Sequence, residues 1–249
     1  MIHNTSVTIS DRAVVETDAI GAGSSIGEYC VIRQGARIGA GVVVHPHVVI
    51  ESGVALGDGV EVFPGAHLGK EPKGAGALAR PVTFERRVRI GDNTSVGPHA
   101  VVFYDVIIGP GSLLGDGASI REGCTIGARC VIGRHTTIHY STSIGDGTKV
   151  MDLSHVTGNC SVGKDVFISV GVMMVNDNAI GREGYSANHI RGPTIEDGVA
   201  VGAGAILVAG IQLGKGSVIG AGSLVTGDVS PLTMVIGMPA RIVRHLGPK

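Results

Sequence analysis

Leu114-Gly-Asp-Gly-Ala-Ser-Ile120-Arg-Glu-Gly-Cys-Thr-Ile126-Gly-Ala-Arg-Cys-Val-Ile132-Gly-Arg-His-Thr-Thr-Ile138 sets a large aliphatic residue at every sixth position and a small residue four places after each. The spacing extends back through Ile108, Val102 and Val96 to Ile90. It extends forward through Ile144, Val150, Val156, Val162 and Ile168 to Met174. Two further runs go from Ile20 to Leu68 and from Ile195 to Val225. A helix repeats near 3.6 residues and a strand at 2, so a strict six over most of a chain belongs to neither alone. It is the pattern of a hexapeptide β-helix, in which each hexad makes one short strand and one corner.

The second register supports this reading. Ser24, Ala36, Ala66, Thr94, Ala100, Ser112, Ala118, Thr136, Ser154, Ala205, Ser217 and Ser223 all stand four residues after an aliphatic, where a narrow prism is crowded. Glycine and Asp or Asn fill the intervening sites, where the chain turns sharply. Three hexads close one triangular coil. With strands about 4.8 Å apart, roughly ten coils make a rod on the order of 50 Å long. The expected fold is therefore all-β: a parallel β-helix in one domain over residues 1–249 with a short C-terminal tail, interrupted by loop excursions at 69–89 and 175–194.

Composition fits a thin prism: no Trp, 41 Gly and a hydrophobic share of 43%. A net charge of −1 argues against general nucleic-acid binding. The start, Met-Ile-His-Asn-Thr-Ser, shows no signal peptide and nothing reaches membrane-spanning length, so no membrane insertion is expected and a cytoplasmic location is the default. Cys30, Cys124, Cys130 and Cys160 all occupy the small inward position. They read as core filler rather than disulfide, zinc ligand or nucleophile.

Both excursions leave after the same side of the prism, the side of Leu68, Val102, Ile120, Ile138, Val156 and Met174. Two long loops on one wall point to a binding site between them. The first carries Lys70, Lys73, Arg80, Arg86, Arg87 and Arg89 against Glu71 and Glu85, a basic loop suited to a phosphorylated ligand. The second, from Asn176, reads as a polar flap that includes His189 and Arg191. On the shared wall Arg121, Thr137, His139, His155, Thr157, Met173 and Val175 point outward. His139 and His155 should be diagonal neighbours, about 7–8 Å apart. His3, His45, His47, His67 and His245 read as surface residues.

From about residue 14 to 244 the chain resembles the left-handed β-helix acyltransferases. Val201-Gly-Ala-Gly-Ala, Ile219-Gly-Ala-Gly-Ser-Leu-Val-Thr-Gly-Asp-Val and Gly237-Met-Pro-Ala-Arg241 are similar to the end of the nucleotide-sugar N-acetyltransferases, and Asn176-Asp177 fits that group. The resemblance implies a homotrimer with active sites between rods, and acetyl-CoA or another acyl-CoA as co-substrate. It implies cofactor contacts at Gly202, Ala203 and Ala221, with Lys215, Arg241 and Arg244 toward the CoA phosphates. Met151 to Gly163 also resembles UDP-N-acetylglucosamine acyltransferase. There a His-x-x-His stretch supplies the general base in its second His; here the first is His155 and the second is Gly158.

A sugar hydroxyl needs a base as it attacks, whereas an amine of pKa about 8 is already partly neutral. The expectation is thus acyl-CoA-dependent N-acylation of an amino sugar on a nucleotide, without metal. His155 and His139 are the catalytic candidates, and Asn176, Asp177, Arg121, Asn159, His189 and Arg191 the substrate contacts. Two alternatives remain: O-acylation with His139 as base, and a non-catalytic scaffold. A third is metal chemistry, since His99 and His135 are spaced as in the γ-class carbonic anhydrases. The third ligand of that set would fall on Tyr140, with His139 one residue early, and zinc catalysis requires three protein ligands.

Overall fold

The short strands pair in parallel, each with the strand one turn further on, and generate three walls of thirteen, eleven and nine strands. The computed structural model describes residues 6–74, 76, 80–186 and 189–247, and no helix occurs among them. His3 lies outside the described residues.

Along the middle of the rod the register is strictly eighteen residues, as in Ser119 opposite Thr137 and Thr137 opposite His155. Backbone bonds follow it: the N–H of Gly115 donates to the carbonyl of Ile132 and that of Gly133 to Val150, both at 2.7 Å. The stacked aliphatics form a continuous core that includes Ile120, Ile126, Ile132, Ile138 and Ile168, each less than 2% exposed. Each such side chain is worth roughly 1.5–3 kcal/mol of burial.

The Ile-Gly-Asp signature has a direct cause. A Cβ on Gly133 would stand 2.4 Å from the backbone N of Asp152, because the next coil passes through that space. The aspartates tie the corners together: Asp152 accepts the N–H of Arg134 at 2.8 Å, and Asp146 that of Ala128 at 2.9 Å. The small inward residues do the same inside the prism. Ser154 Oγ donates to the carbonyl of Ser169 at 2.9 Å and accepts the N–H of Val172 at 3.2 Å. Thr142 and Thr148 repeat both bonds. The cysteines belong to this set, Cys124 Sγ reaching the carbonyl of His139 at 3.0 Å. Burial pushes the thiols of Cys124 and Cys160 up to about 12, which suppresses the reactive thiolate.

The rod has about twelve turns rather than the ten expected. The extra turns lie at the ends, where the register shortens and the six-residue spacing is lost. Thr8 pairs with Ser25 and Val14 with Val31, seventeen residues apart, and Ile219 pairs with Val235, sixteen apart. The expected C-terminal tail includes a strand, Arg241–His245, that folds back antiparallel on Thr233–Ile236. The excursions are slightly shorter than expected: the wall strand before the first continues to Lys70 and the next begins at Val88, and the second gives way to a strand at Thr194.

Ser217 marks the sixteen-residue coil. Its hydroxyl is buried without a hydrogen-bond partner, because the carbonyl that such a residue normally reaches has slipped out of register. Ser217→Ala should therefore be neutral or stabilising, whereas Ser154→Ala should cost about 1–3 kcal/mol in urea denaturation.

Candidate functional site

The wall that carries both excursions presents two columns of outward side chains. One runs Ser119, Thr137, His155, Met173, and the other Phe103, Arg121, His139, Thr157, Val175. His139 and His155, in neighbouring columns on successive coils, meet edge to face with ring centroids 4.6 Å apart. This is closer than the backbone spacing, because the half-buried rings lean toward each other. Thr137 Oγ1 lies 2.7 Å from His155 Nδ1 and fixes that ring. With the proton on Nδ1 and donated to Thr137, His155 Nε2 is free to accept one.

Burial, then the neighbouring His155 and Arg121, push the His139 pKa down to about 4. Burial also lowers that of His155. Both imidazoles are neutral at pH 7.

Beside the pair lies a buried ionic cluster that the six-residue pattern hides. Glu122 is 2% exposed and accepts two bonds from Arg121, at 2.9 and 3.2 Å, and one from Arg80 of the first excursion. Burial alone would raise its pKa, but the bonds from Arg121 and Arg80 together hold the carboxyl below its usual range. The Arg80 guanidinium also stacks on Tyr140, 3.8 Å from the ring centroid.

The place of Tyr140 accounts for Gly158. A Cβ at 158 would lie 2.7–2.9 Å from three atoms of the Tyr140 ring. With Tyr140 held in this place there is no room for a side chain at 158, the second imidazole of a His-x-x-His stretch included. Asn176 Nδ2 completes the clamp, donating to Tyr140 Oη at 3.4 Å and to the carbonyl of Gly158 at 3.3 Å.

The two excursions converge at this edge. A polar cavity of about 240 Å³ is lined by Arg80, Thr83, Glu122, Tyr140, Asn159 and Tyr185 among others. Sequence reasoning found Asn159 here and counted Arg80 among the basic residues of the first excursion, but missed Glu122 and Tyr140 as site residues. Only the isolated Gly158 carried a trace of them.

The remaining candidates are dispersed. Asp177 accepts the N–H groups of Ala179 and Gly181, both at 2.7 Å, and so orders its own loop. With His189 and Arg191 it lines a separate open groove of about 560 Å³. Gly202, Ala203 and Ala221 lie at the corner entering the loop-bearing wall, and a Cβ on Gly202 would strike Ala221 N at 2.5 Å. Lys215 lies at a different corner, in a groove of about 610 Å³ shared with Lys164, Leu232 and Leu246. Arg241 and Arg244 are exposed on the folded-back strand. The six cofactor candidates thus occupy different edges of one rod.

His99 and His135 adopt left-handed corner conformations, with φ of 57° and 52°, and lie over Gly65 and Gly117 of the preceding coils. Among the described residues, no group of three His, Cys, Asp or Glu side chains is arranged to hold a metal ion. Of the histidines read as surface, His45 and His67 pair with Glu61 and Glu51 at 2.8 and 3.2 Å, His47 stacks on Tyr29, and His245 reaches Thr233. No helix among the described residues is long and apolar enough to cross a membrane.

The chain is similar to several known proteins. Residues 84–183 match the model of the GMPPB C-terminal domain, and residues 192–227 that of the bacterial transferase hexapeptide (six repeats). Serine acetyltransferase of Buchnera aphidicola is 38% identical over 97 residues, covering 39% of this chain and 35% of that protein. The bifunctional protein GlmU of Thermotoga petrophila is 31% identical over 194 residues, 69% of this chain and 40% of its own. The chain spans about a third of the length of the serine acetyltransferases it matches. The crystal structure of Arabidopsis UDP-N-acetylglucosamine acyltransferase superposes with a TM-score of 0.56 at 23% identity, over 99% of this chain and 74% of that one, and shares the fold.

The depressed His139 pKa has a definite sign. The folded state keeps the imidazole neutral below the unfolded value of about 6.5, so stability present above that pH falls as acid is added, down to about pH 4. In a urea-midpoint profile this loss should shrink in His139→Gln, and imidazole NMR should show a titration near 4 that the variant lacks.

Proposed function

We propose that this chain, a member of the left-handed β-helix, hexapeptide-repeat acyltransferase superfamily, transfers an acyl group from acyl-CoA to the amine of a nucleotide-linked amino sugar. The observation that carries this reading is the neutral His139–His155 pair, with His155 fixed by Thr137, near a cavity lined from both excursions. The amine nitrogen attacks the thioester carbonyl carbon, forming the N–C bond. His155 Nε2 receives the proton that nitrogen sheds, and the C–S bond breaks as the thiolate leaves and takes a proton. The named activities of the relatives, an acetyltransferase and a sugar-nucleotide acyltransferase, support the reaction class.

Two features favour an amine over a hydroxyl. The volume in which a second imidazole would stand is filled by Tyr140. His139, with its pKa near 4, is a weak base for a hydroxyl proton. An amine of pKa about 8 has less need of one. In this reading Asn176 orients the acceptor while holding Tyr140, and Arg121 and Asn159 face it from the wall and the edge. Asp177, His189 and Arg191 line a separate open groove and take no part in this placement of the acceptor.

The donor site follows from the dispersal of its candidates. In this reading the Lys215 edge and the Gly202–Ala221 edge, separated on one rod, would face each other between neighbouring rods of a homotrimer. The pantetheine arm would then run between neighbouring subunits, with Arg241 and Arg244 near its phosphates.

Mass spectrometry of products from a panel of nucleotide-linked amino and hydroxy sugars with acetyl-CoA and longer thioesters tests acceptor and donor together; faster acylation of the hydroxy sugars would overturn the choice of amine. With the best acceptor, His155→Ala should lower kcat about 10²–10⁴-fold with unchanged circular dichroism. Wild-type turnover in that variant would remove His155 from the mechanism.

A further inference from the structure

The loop-bearing wall begins its outward column with an irregularity. The strand His67–Lys70 carries a bulge between Leu68 and Lys70, so that Lys70, and not Gly69, stands opposite Phe103. A bulge re-aims the side chains beyond it. Here it brings a lysine into the column that continues through Phe103 and Arg121 to His139.

Phe103 is buried at 8% exposure and serves as a common plate for two cations. Lys70 Nζ is 4.7 Å from its ring centroid and Arg121 Cζ is 4.9 Å. The two charges are thus held within about 10 Å of each other by an aromatic ring that attracts both. Their anionic surroundings are thin. Glu122 binds Arg121 but is shared with Arg80, so one carboxylate serves two guanidinium groups. Glu71, the residue after Lys70, is engaged by Arg86 at 2.7 Å and Lys73 at 3.7 Å. Lys70 itself makes no ion pair among the described residues. Two guanidinium groups therefore share one buried carboxylate next to the histidine pair, and the Lys70 ammonium over Phe103 is left open to an anion from outside.

We infer that Lys70 and Arg121, seated on Phe103, form the subsite for the phosphate groups of the acceptor. This deepens the reading above and rests on its nucleotide-linked acceptor. A planar guanidinium and a mobile ammonium suit the two halves of a diphosphate, the first as a fork and the second as a point charge. The place in the column sets the direction of the substrate. With phosphates at Lys70 and Arg121, the sugar extends one coil along the rod and brings its amine to His139 and His155. The bulge is what makes the spacing work, since Gly69 in that register would leave only Arg121.

Coenzyme A also carries phosphates, so the test separates the two sources. Isothermal titration of the whole protein with UDP, dTDP, GDP, inorganic pyrophosphate and CoA is repeated on Lys70→Gln and Lys70→Arg. Lys70 is exposed and outside the core, so both variants should keep the wild-type circular dichroism. The inference expects Lys70→Gln to weaken the preferred nucleoside diphosphate and pyrophosphate by about tenfold to a hundredfold. It expects Lys70→Arg to recover most of that loss, and CoA affinity to stay unchanged. Equal nucleoside diphosphate binding by wild type and Lys70→Gln overturns it, as does a loss confined to CoA. Wild-type binding of pyrophosphate, lost in Lys70→Gln, without binding of any nucleoside diphosphate keeps the anion subsite and removes the nucleotide from the proposed acceptor. Failure of wild type to bind either anion overturns the subsite, while the acylation assays decide separately on the reaction.

Discussion

Coil-to-coil backbone pairing in an eighteen-residue register is the constraint on which everything else depends. Parallel strands of two to four residues would have no stability alone. They persist because each is bonded above and below, and because a turn of fixed length returns the same side chain to the same height. Once that length is set, Gly is required where the next coil crosses and Asp where a corner N–H must be answered. A small hydroxyl or thiol is required where a buried carbonyl needs a donor. Ile-Gly-Asp is the local form of one long-range condition.

The candidate site is a departure from that regularity. Both excursions leave the same edge, and what they bring back, Arg80 and Asn176, clamps Tyr140 from two sides. The clamp, the buried Glu122 and the bulge before Lys70 all break the pattern locally. Each has an evident compensation: an ion pair, a cation stacked on a ring, or a re-aimed lysine. Function on a repetitive scaffold is expected at such compensated irregularities.

The central fold was legible because every coil obeys the same arithmetic. Phase alone put His139 and His155 on one wall and both loops at one edge. The ends were not legible, since coils of sixteen and seventeen residues carry no six-residue signature. Nor was the clamp, because Arg80 lies forty-two residues from Glu122 and no periodicity relates a loop residue to the wall it meets. The cofactor candidates illustrate a third limit. A motif at the end of the chain names residues but does not say that Lys215 and Gly202 lie on separate edges.

The folded-back strand Arg241–His245 has a further consequence. A parallel solenoid ends in open strands whose unpaired N–H and C=O groups invite another copy to continue the stack. On the thirteen-stranded wall the last position is taken by a strand of opposite direction that carries Arg241, Arg244 and His245. A second rod arriving there meets the wrong polarity and positive charge, so that growth of the stack into a fibre is discouraged at this wall.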